Sequence, residues 1–309
     1  MNQELGIRNK AILLVLATAV ISGFANFFNK FGMKASGFDP FQYTTLKNVL
    51  AALVLSLLVL TPWVFSRLKK LNKKDWLSLA IIGLIGGSVP FLLFFKGLSL
   101  TSAVSASFIH KTLFVWVAIL AWPVLKEKVS KWQFIALGVL LSGNMIFEGF
   151  AGLSWSLAET LIFSATIMWA VETIIAKKVL ANINSSVLAW GRMFFGALIL
   201  IGFLSVTKDL PNLAAFNSVS IGWLALVSIL LTGYVLTWYA ALKKLPATVV
   251  ACVLVLASPI TAMLNAAFVT HKGLSADKIL GLVFIGLAVI LLSLKLKVQS
   301  SKLLLEKQN

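Results

Sequence analysis

Ten apolar runs, separated by short clusters of lysine and arginine, occupy most of this chain of 309 residues. A helix needs about 20 predominantly apolar residues to cross the hydrocarbon core of a bilayer. The runs lie at residues 11–31, 41–65, 76–95, 101–123, 132–149, 155–176, 187–206, 221–242, 247–269 and 277–296. The pattern predicts an all-α integral membrane protein with ten transmembrane helices. Its connections are too short to hold a separate soluble domain.

The composition excludes the common soluble classes of protein. Hydrophobic residues make up 60% of the chain and charged residues 12%, whereas a soluble domain carries about 25% charged residues. A soluble enzyme and a disordered chain are therefore excluded, and the single cysteine, Cys252, has no partner for an intramolecular disulfide. The net charge of +17 does not indicate nucleic-acid binding, because the basic residues flank the apolar runs. The lipid bilayer is the expected partner.

The distribution of basic residues predicts the orientation, since lysine and arginine are retained on the cytoplasmic side. With both termini inside, 18 of the 27 lysine and arginine residues lie in inner segments, six in outer segments and three within spans. We therefore expect a multi-pass protein of the cell membrane with both termini cytoplasmic. The basic tail from Lys295 to Lys307 is interpreted as a topology anchor, and a lipid-sensing role is the alternative.

The two halves of the chain resemble each other at a nearly constant offset of 143 to 147 residues. The matched pairs include Lys30 with Lys177, Lys47 with Arg192, Trp76 with Trp223, Gly86 with Gly233, Phe95 with Tyr239, Gly138 with Gly281 and Gly143 with Gly286. The repeat predicts two five-helix units, residues 1–150 and 151–309, the second ending in the basic cytoplasmic tail. Because five is odd, the second unit enters the membrane from the opposite side, as in transporters with inverted repeats.

Motifs in matching places of both halves resemble a known family, the ten-helix EamA-type members of the drug/metabolite transporter superfamily. They are a basic residue early in the second helix of each half and glycines in the fifth and tenth helices. A third motif lies at the hairpin that joins the third and fourth helices of each half, where an aromatic residue, a small residue, a leucine and an alanine follow one another. The hairpin residues are Phe95, Gly97, Leu98 and Ala103 in the first half, and Tyr239, Ala241, Leu242 and Ala247 in the second. The segments Ser258-Pro259-Ile260 and Leu125–Ser130 extend the resemblance over nearly the full length.

The chain also departs from that pattern and from internal symmetry. Val115 stands in the first half where Pro259 stands in the second, and Glu127 has His271 as its counterpart. Lys47 replaces an arginine that the resemblance implies, and the two cations differ in hydrogen-bond geometry. Roles tied to these positions need not be shared by the two halves.

Charged side chains inside the spans are the first candidates for function, because an ionisable group at mid-bilayer costs roughly 2.5–3.5 kcal/mol on insertion scales. Lys47 is predicted near the outer leaflet and Arg192 near the inner leaflet, too far apart for one joint site. Glu172 shares the depth of Arg192. We interpret these three residues as members of structural or gating ion pairs, with direct substrate contact as the alternative.

Lys111 is predicted halfway along the fourth span, after His110, and at most one of the two can face a central cavity squarely. Lys111 there would bind a carboxylate or another anion, or would act as a pH-sensitive site. The alternatives are that it snorkels or pairs with Glu172 or a backbone carbonyl. Further candidates for the substrate-binding wall are Asn26, Asn144, Trp169, Trp238, Tyr239 and Asn265. Pro90 and Pro259 are candidate hinges, since proline removes a backbone donor.

The leading functional hypothesis is a secondary transporter that moves an amino acid, an organic anion or an amphipathic solute by alternating access. The family resemblance implies export. A passive channel or facilitator is the alternative, and a membrane-embedded enzyme is a third possibility. The sequence has no G-x-x-x-x-G-K-[ST] loop for ATP and no H-E-x-x-H motif, so we expect no catalysis, no cofactor and no metal. We expect a monomer or weak dimer, and proton coupling stays open.

The orientation can be tested with reporter fusions at the C-terminus and after Phe216. The basic bias predicts that a cytoplasmic reporter is active at the C-terminus, while a reporter that requires export is active after Phe216. Activity of the same reporter at both positions would contradict the ten-span inverted arrangement.

Overall fold

The structure, a computed structural model, describes residues 2–101, 103–127, 131–148, 155–212 and 216–306, and every regular element within them is helical. The predicted boundary between residues 150 and 151 lies outside these ranges. The helices are α1 (Asn2–Ala35), α2 (Pro40–Val59), α3 (Pro62–Leu68), α4 (Lys73–Ile82), α5 (Val89–Leu100), α6 (Ala103–Lys111), α7 (Leu113–Leu125), α8 (Lys131–Glu148), α9 (Leu157–Val179), α10 (Ser185–Thr207), α11 (Ser218–Lys244), α12 (Ala247–Leu254), α13 (Ala257–Asn265) and α14 (Ala276–Glu306).

Within the described ranges, eight helical segments are long and apolar enough to cross a membrane. They correspond to the first four and the sixth to ninth of the predicted runs. The fifth run lies in the shorter apolar helix Lys131–Phe147, and the tenth lies in α14. The protein is therefore an all-α, multi-pass integral membrane protein. Because α14 has 31 residues, at about 1.5 Å per residue it extends beyond a hydrocarbon core of about 30 Å.

The second predicted run is not one helix. It divides into α2, which ends at Val59, and α3, which begins at Pro62. Proline is favoured in the first turn of a helix, because the amides there have no acceptor within the helix. In a helix interior proline removes a hydrogen bond and disrupts the helix. Pro62 therefore starts a new helix, and the second span is shorter than predicted.

The third predicted run is interrupted by a π-helical turn, Gly83–Ser88, between α4 and α5. Pro90 is the second residue of α5 and directly follows this turn. A π-helical turn has one residue more per hydrogen-bonded ring than an α-helix, so backbone groups near it are displaced from the regular ladder. The kink at Pro90 stays a prediction; the structure shows this turn just before Pro90, and the turn packs against α10.

The fourth and ninth predicted runs are both broken near their middle. The fourth divides into α6 and α7 at Thr112, and the ninth divides into α12 and α13 at Val255 and Leu256. Both breaks are closed by tight bonds from residue i+3 to residue i, such as Thr112 N to Ile109 O at 3.1 Å and Leu256 N to Val253 O at 3.1 Å. The break at Thr112 was not predicted. The two breaks match at the offset that relates the halves of the sequence.

Helix packing follows the same two-fold pattern. The second span packs against the seventh, through α2 and α10, and the fifth packs against the tenth, through α8 and α14. α1 packs against α11, and its counterpart α9 packs against α5. In the same way, α1 packs against α12 and α13, and α9 packs against α6 and α7. Exchanging the halves therefore reproduces the packing, as expected for two structural repeats.

Glycines allow the closest approach of the helices, between the π-helical turn and α10. A Cβ added to Gly87 would lie 2.4 Å from the Arg192 carbonyl oxygen, and one added to Gly196 would lie 2.6 Å from the Gly87 carbonyl oxygen. A Cβ added to Gly83 would lie 2.5 Å from Cβ of Phe195. Small residues at such contacts let helix backbones meet. The contact brings the side chain of Arg192 onto the π-helical turn.

Candidate functional site

The backbone carbonyl of Gly86, in the first half, accepts hydrogen bonds from two side chains of the second half. Pro90 has no amide hydrogen and so cannot donate to the carbonyl four residues earlier, which is that of Gly86. Two side chains of the second half donate to this oxygen instead, Trp169 Nε1 at 3.0 Å and Arg192 Nη2 at 3.0 Å. Gly86 lies in the π-helical turn, and Pro90 cannot supply an i+4 donor, so residues of the other half satisfy this acceptor.

Arg192 also belongs to a buried chain of side chains with Tyr239 and Glu172. Arg192 Nη1 donates to the Tyr239 hydroxyl at 3.2 Å, and that hydroxyl donates to Glu172 Oε1. All three residues are at most 5% exposed. Glu172 and Arg192 were predicted to pair directly, whereas the structure places the Tyr239 hydroxyl between them. A Cβ on Gly86 would lie 2.5 Å from Cγ of Glu172, so a glycine is required where the network meets the turn.

An aromatic cluster lies beside this network. The rings of Trp169 and His110 are 4.9 Å apart, Trp169 is 5.3 Å from Phe91, and Phe94 is 5.3 Å from His110. Nδ1 of His110 is buried and has no hydrogen-bond partner within the described part of the chain. His110 therefore packs as an aromatic ring between α6 and α9.

Lys47 occupies a separate, apolar pocket in the first half and is 4% exposed. Its Nζ donates to Asn29 Oδ1 at 3.2 Å and lies 5.1 Å from the ring centroid of Phe95. The rings of Tyr43 and Phe91 are each 5.7 Å from the same atom. An ion pair was predicted for Lys47, but its contacts among the described residues are neutral.

Lys111 is the last residue of α6 and is 8% exposed, so it lies at the break of the fourth span instead of inside one continuous helix. Lys111 already interacts with other groups of the protein. Its burial at a helix discontinuity keeps it a candidate contact for substrate.

The remaining wall candidates do not form one group. Asn26 is exposed on α1, and Asn265 ends α13 and donates to its own helix one turn earlier, at 3.2 Å. Asn144 is fully buried in α8, with neither amide atom hydrogen-bonded. Trp238 is 2% exposed and stacks on Tyr234, with ring centroids 6.1 Å apart. Of the six, Trp169 and Tyr239 lie at the Gly86 carbonyl or within its network.

The candidate hinges lie at helix ends, as expected for proline. Pro90 is the second residue of α5, after the π-helical turn, and Pro259 is the third residue of α13, after the break in the ninth span. Ser258 N donates to the Val255 carbonyl at 3.1 Å. Pro259 would leave that carbonyl without its regular i+4 donor, so the tight turn supplies another.

Another connection between the halves lies at the α11–α12 hairpin, at the end of the protein that the basic-residue count predicts to be inside. Glu127 of the first half accepts from the Ala247 amide at 2.8 Å and from the Thr248 hydroxyl at 3.0 Å. Within the second half, Lys177 Nζ donates to the carbonyls of Leu242 and Leu245, both at 2.7 Å. A carboxylate at a helix start and a cation at a helix end also complement the helix dipoles. We name these contacts the hairpin latch.

Several residues of the site were not among the sequence candidates. Nothing in the sequence distinguishes Phe91, Asn29 and Tyr43 from other residues of a membrane helix, and we interpreted Lys177 as a topology signal. The position of Pro90 four residues after Gly86 did contain a signal, because it marks which carbonyl is released. No pattern identified the partner of Lys47. Among the described residues, no three His, Cys, Asp or Glu side chains are placed to hold a metal ion.

Comparisons with known proteins agree with this architecture. The sequence profile of the EamA-like transporter family matches the chain twice, at residues 9–147 and 156–294. An uncharacterized transporter of Archaeoglobus fulgidus is 27% identical over 264 residues, which is 82% of this chain and 88% of the relative. One from Clostridium kluyveri is 24% identical over 284 residues, 89% of this chain and 90% of the relative.

Two further similarities cover most of the chain. The uncharacterized transporter YyaM of Bacillus subtilis is 27% identical over 251 residues, 78% of this chain and 79% of the relative. A solved crystal structure superposes with a TM-score of 0.74 over 93% of this chain and 97% of that chain. At 15% identity, this superposition shows the shared fold alone.

The Glu172–Tyr239–Arg192 chain predicts coupled effects on stability. Glu172→Gln and Arg192→Met should each lower the free energy of unfolding by about 1–3 kcal/mol, because each leaves a buried polar partner unmet. The double variant should recover part of the loss, and adding Tyr239→Phe to it should cost little more. Thermal unfolding of the purified variants measures this, with Lys178→Met on the exposed side of α9 as the control. Strictly additive losses would mean that the three residues are independent.

Proposed function

Because the chain belongs to the EamA-like transporter family, we propose that it is a secondary transporter that moves a small metabolite across the cell membrane by alternating access. The observation that carries the proposal is the pair of matched breaks in the fourth and ninth spans. Discontinuous helices at equivalent places of two repeats are typical of transporters, where they surround a central substrate site. The two repeats then move against each other around that site.

The hairpin latch supports the proposal because only one of the two faces is latched. Glu127 and Lys177 hold the α11–α12 hairpin at the proposed inner face. Their counterparts in the other half, His271 and Lys30, are exposed and make no such bonds among the described residues. An inner face held closed beside an unlatched outer face is what one state of an alternating-access cycle requires. The inward-open state would then need the latch to break.

The substrate class follows from the residues of the site. Buried cations, hydrogen-bonding amides and aromatic rings suit an amino acid, an organic anion or an amphipathic solute. Lys111 remains a candidate contact because of its burial at the break of the fourth span. The direction is proposed to be export, as the family resemblance implies. Both termini are proposed to be cytoplasmic, and the protein to act as a monomer or weak dimer, with proton coupling left open.

A passive channel is the second candidate, and the matched breaks and the latch favour a carrier over it. A membrane-embedded enzyme has less support, because the acids of the site accept hydrogen bonds within the protein and are scattered among several helices. Membership of the family likewise favours transport.

Counterflow in proteoliposomes distinguishes a carrier from a channel. Purified protein is tested with radiolabelled amino acids, monocarboxylates and amphipathic amines, with and without the same unlabelled solute on the far side. We expect at least one solute to enter faster against a loaded interior, since a carrier must reorient and a channel need not. The double variant Glu127→Cys, Thr248→Cys, in a Cys252→Ser background, should lose this exchange when a short bifunctional thiol reagent locks the latch. Undiminished exchange after complete cross-linking, or no counterflow for every solute, would contradict the proposal.

A further inference from the structure

Lys47 is a buried cation whose described contacts are all neutral. The side chain is 4% exposed, and its one hydrogen bond is to the amide oxygen of Asn29. Lysine carries a compact, strongly hydrated charge, so an interior site without an anion is unfavourable for it. Position 47 is the eighth residue of α2, about 10 Å along the helix from its start. The side chain therefore lies well inside the span and cannot easily reach water.

The repeat provides an internal comparison for this site. Lys47 and Arg192 are matched at an offset of 145 residues, and the ring beside each cation is also matched, Phe95 with Tyr239. In the second half, the first helix of the repeat supplies Glu172, which is joined to Arg192 through the Tyr239 hydroxyl. In the first half, the first helix of the repeat supplies Asn29. The second-half cation thus has a built-in carboxylate, and the first-half cation has an uncharged amide.

Three acids of the described part of the protein, each buried or half-buried, are already engaged. Glu159 accepts from the Ser156 amide at 3.0 Å and also from the hydroxyl of Thr101. Glu127 accepts from the α11–α12 hairpin, and Glu172 accepts from Tyr239. A carboxylate for Lys47 would therefore have to come from outside the described contacts.

A second observation at the same place is an unused hydroxyl. The Tyr43 hydroxyl is buried, has no hydrogen-bond partner among the residues that the structure describes, and belongs to a residue that is 0% exposed. It lies against α1, where a Cβ on Gly32 would be 2.5 Å away, one turn from Asn29. Buried hydroxyls normally have a partner. This hydroxyl belongs to a side chain whose ring centroid is 5.7 Å from the Lys47 Nζ, so a second donor lies in the same part of the protein.

We propose that the substrate is a small carboxylate with an apolar or aromatic body, and that its carboxylate pairs with Lys47. In the first half the carboxylate would act as the counter-ion of Lys47, as Glu172 does for Arg192 in the second half. The rings of Phe91 and Phe95 would contact the apolar body, and Phe91 would connect it to Trp169 across the interface of the halves, because their rings are 5.3 Å apart. The inference rests on the proposed transport function and narrows its substrate class.

Asn29→Asp is the most informative variant, because it supplies the missing carboxylate within the protein. It should fold at least as well as the wild type, since Lys47 gains a counter-ion, and it should lose carboxylate binding. Lys47→Met removes the cation and should lose binding as well, whereas Lys47→Arg should keep part of it. Lys178→Met, an exposed lysine of α9, is the matched control.

The probes are phenylacetate, indole-3-acetate and 4-methylpentanoate, each compared with its neutral amide. A ligand that binds the folded state alone raises the unfolding midpoint. We expect at least one carboxylate to raise the midpoint of the wild type and of Lys178→Met, while its amide does not. In Asn29→Asp, and in Lys47→Met if it folds, the half-maximal concentration should increase at least tenfold. No rise with any of the three carboxylates, or an unchanged response in Asn29→Asp, would overturn the assignment.

Transport of the same probes separates this inference from the proposed function. A carboxylate that binds in a Lys47-dependent way but shows no counterflow would contradict the carrier and leave the binding site standing. Counterflow of the carboxylates that is unchanged in Asn29→Asp would support the carrier and contradict the role of Lys47.

Discussion

The hydrogen bonds to the Gly86 carbonyl connect the two halves at the centre of the structure. Pro90 releases this acceptor, and Trp169 and Arg192 donate to it from two helices of the other repeat. In a membrane, a backbone carbonyl without a donor is costly because no water can replace the missing bond. The π-helical turn of the third span and the position of Arg192 therefore depend on one another, as does the packing of α9 and α10 on that turn.

Around this centre, a symmetric fold contains an asymmetric site. The breaks in the fourth and ninth spans match, as do the helix pairings and the cations Lys47 and Arg192. The partners of these cations do not match, because one half supplies Glu172 and the other supplies Asn29. The latch is asymmetric as well, with Glu127 at one end and His271 at the other. Shared packing with unequal charges gives the two similar halves different chemical environments.

Much of the fold could be predicted from the sequence because the bilayer restricts the choices. Apolar runs of spanning length fixed the helical class, and the repeat predicted the two units. The break at Thr112 could not be predicted, since no proline marks it. The site was predicted in part, with Arg192, Glu172, Trp169 and Tyr239 among the candidates. The environment of Lys47 was missed, because it depends on side chains of three helices whose rotation about their axes the sequence does not determine.

A double-mutant cycle between Pro90 and Trp169 tests the central interaction most directly. Thermal unfolding is measured for the wild type, Pro90→Ala, Trp169→Phe and the double variant. In the wild type, Trp169→Phe should cost about 1 kcal/mol, the net value of a typical hydrogen bond. In the Pro90→Ala background the new amide can donate to the Gly86 carbonyl, so the same change should cost less, by about 0.5 kcal/mol or more. Equal costs in both backgrounds would show that the proline does not create the acceptor that joins the two halves.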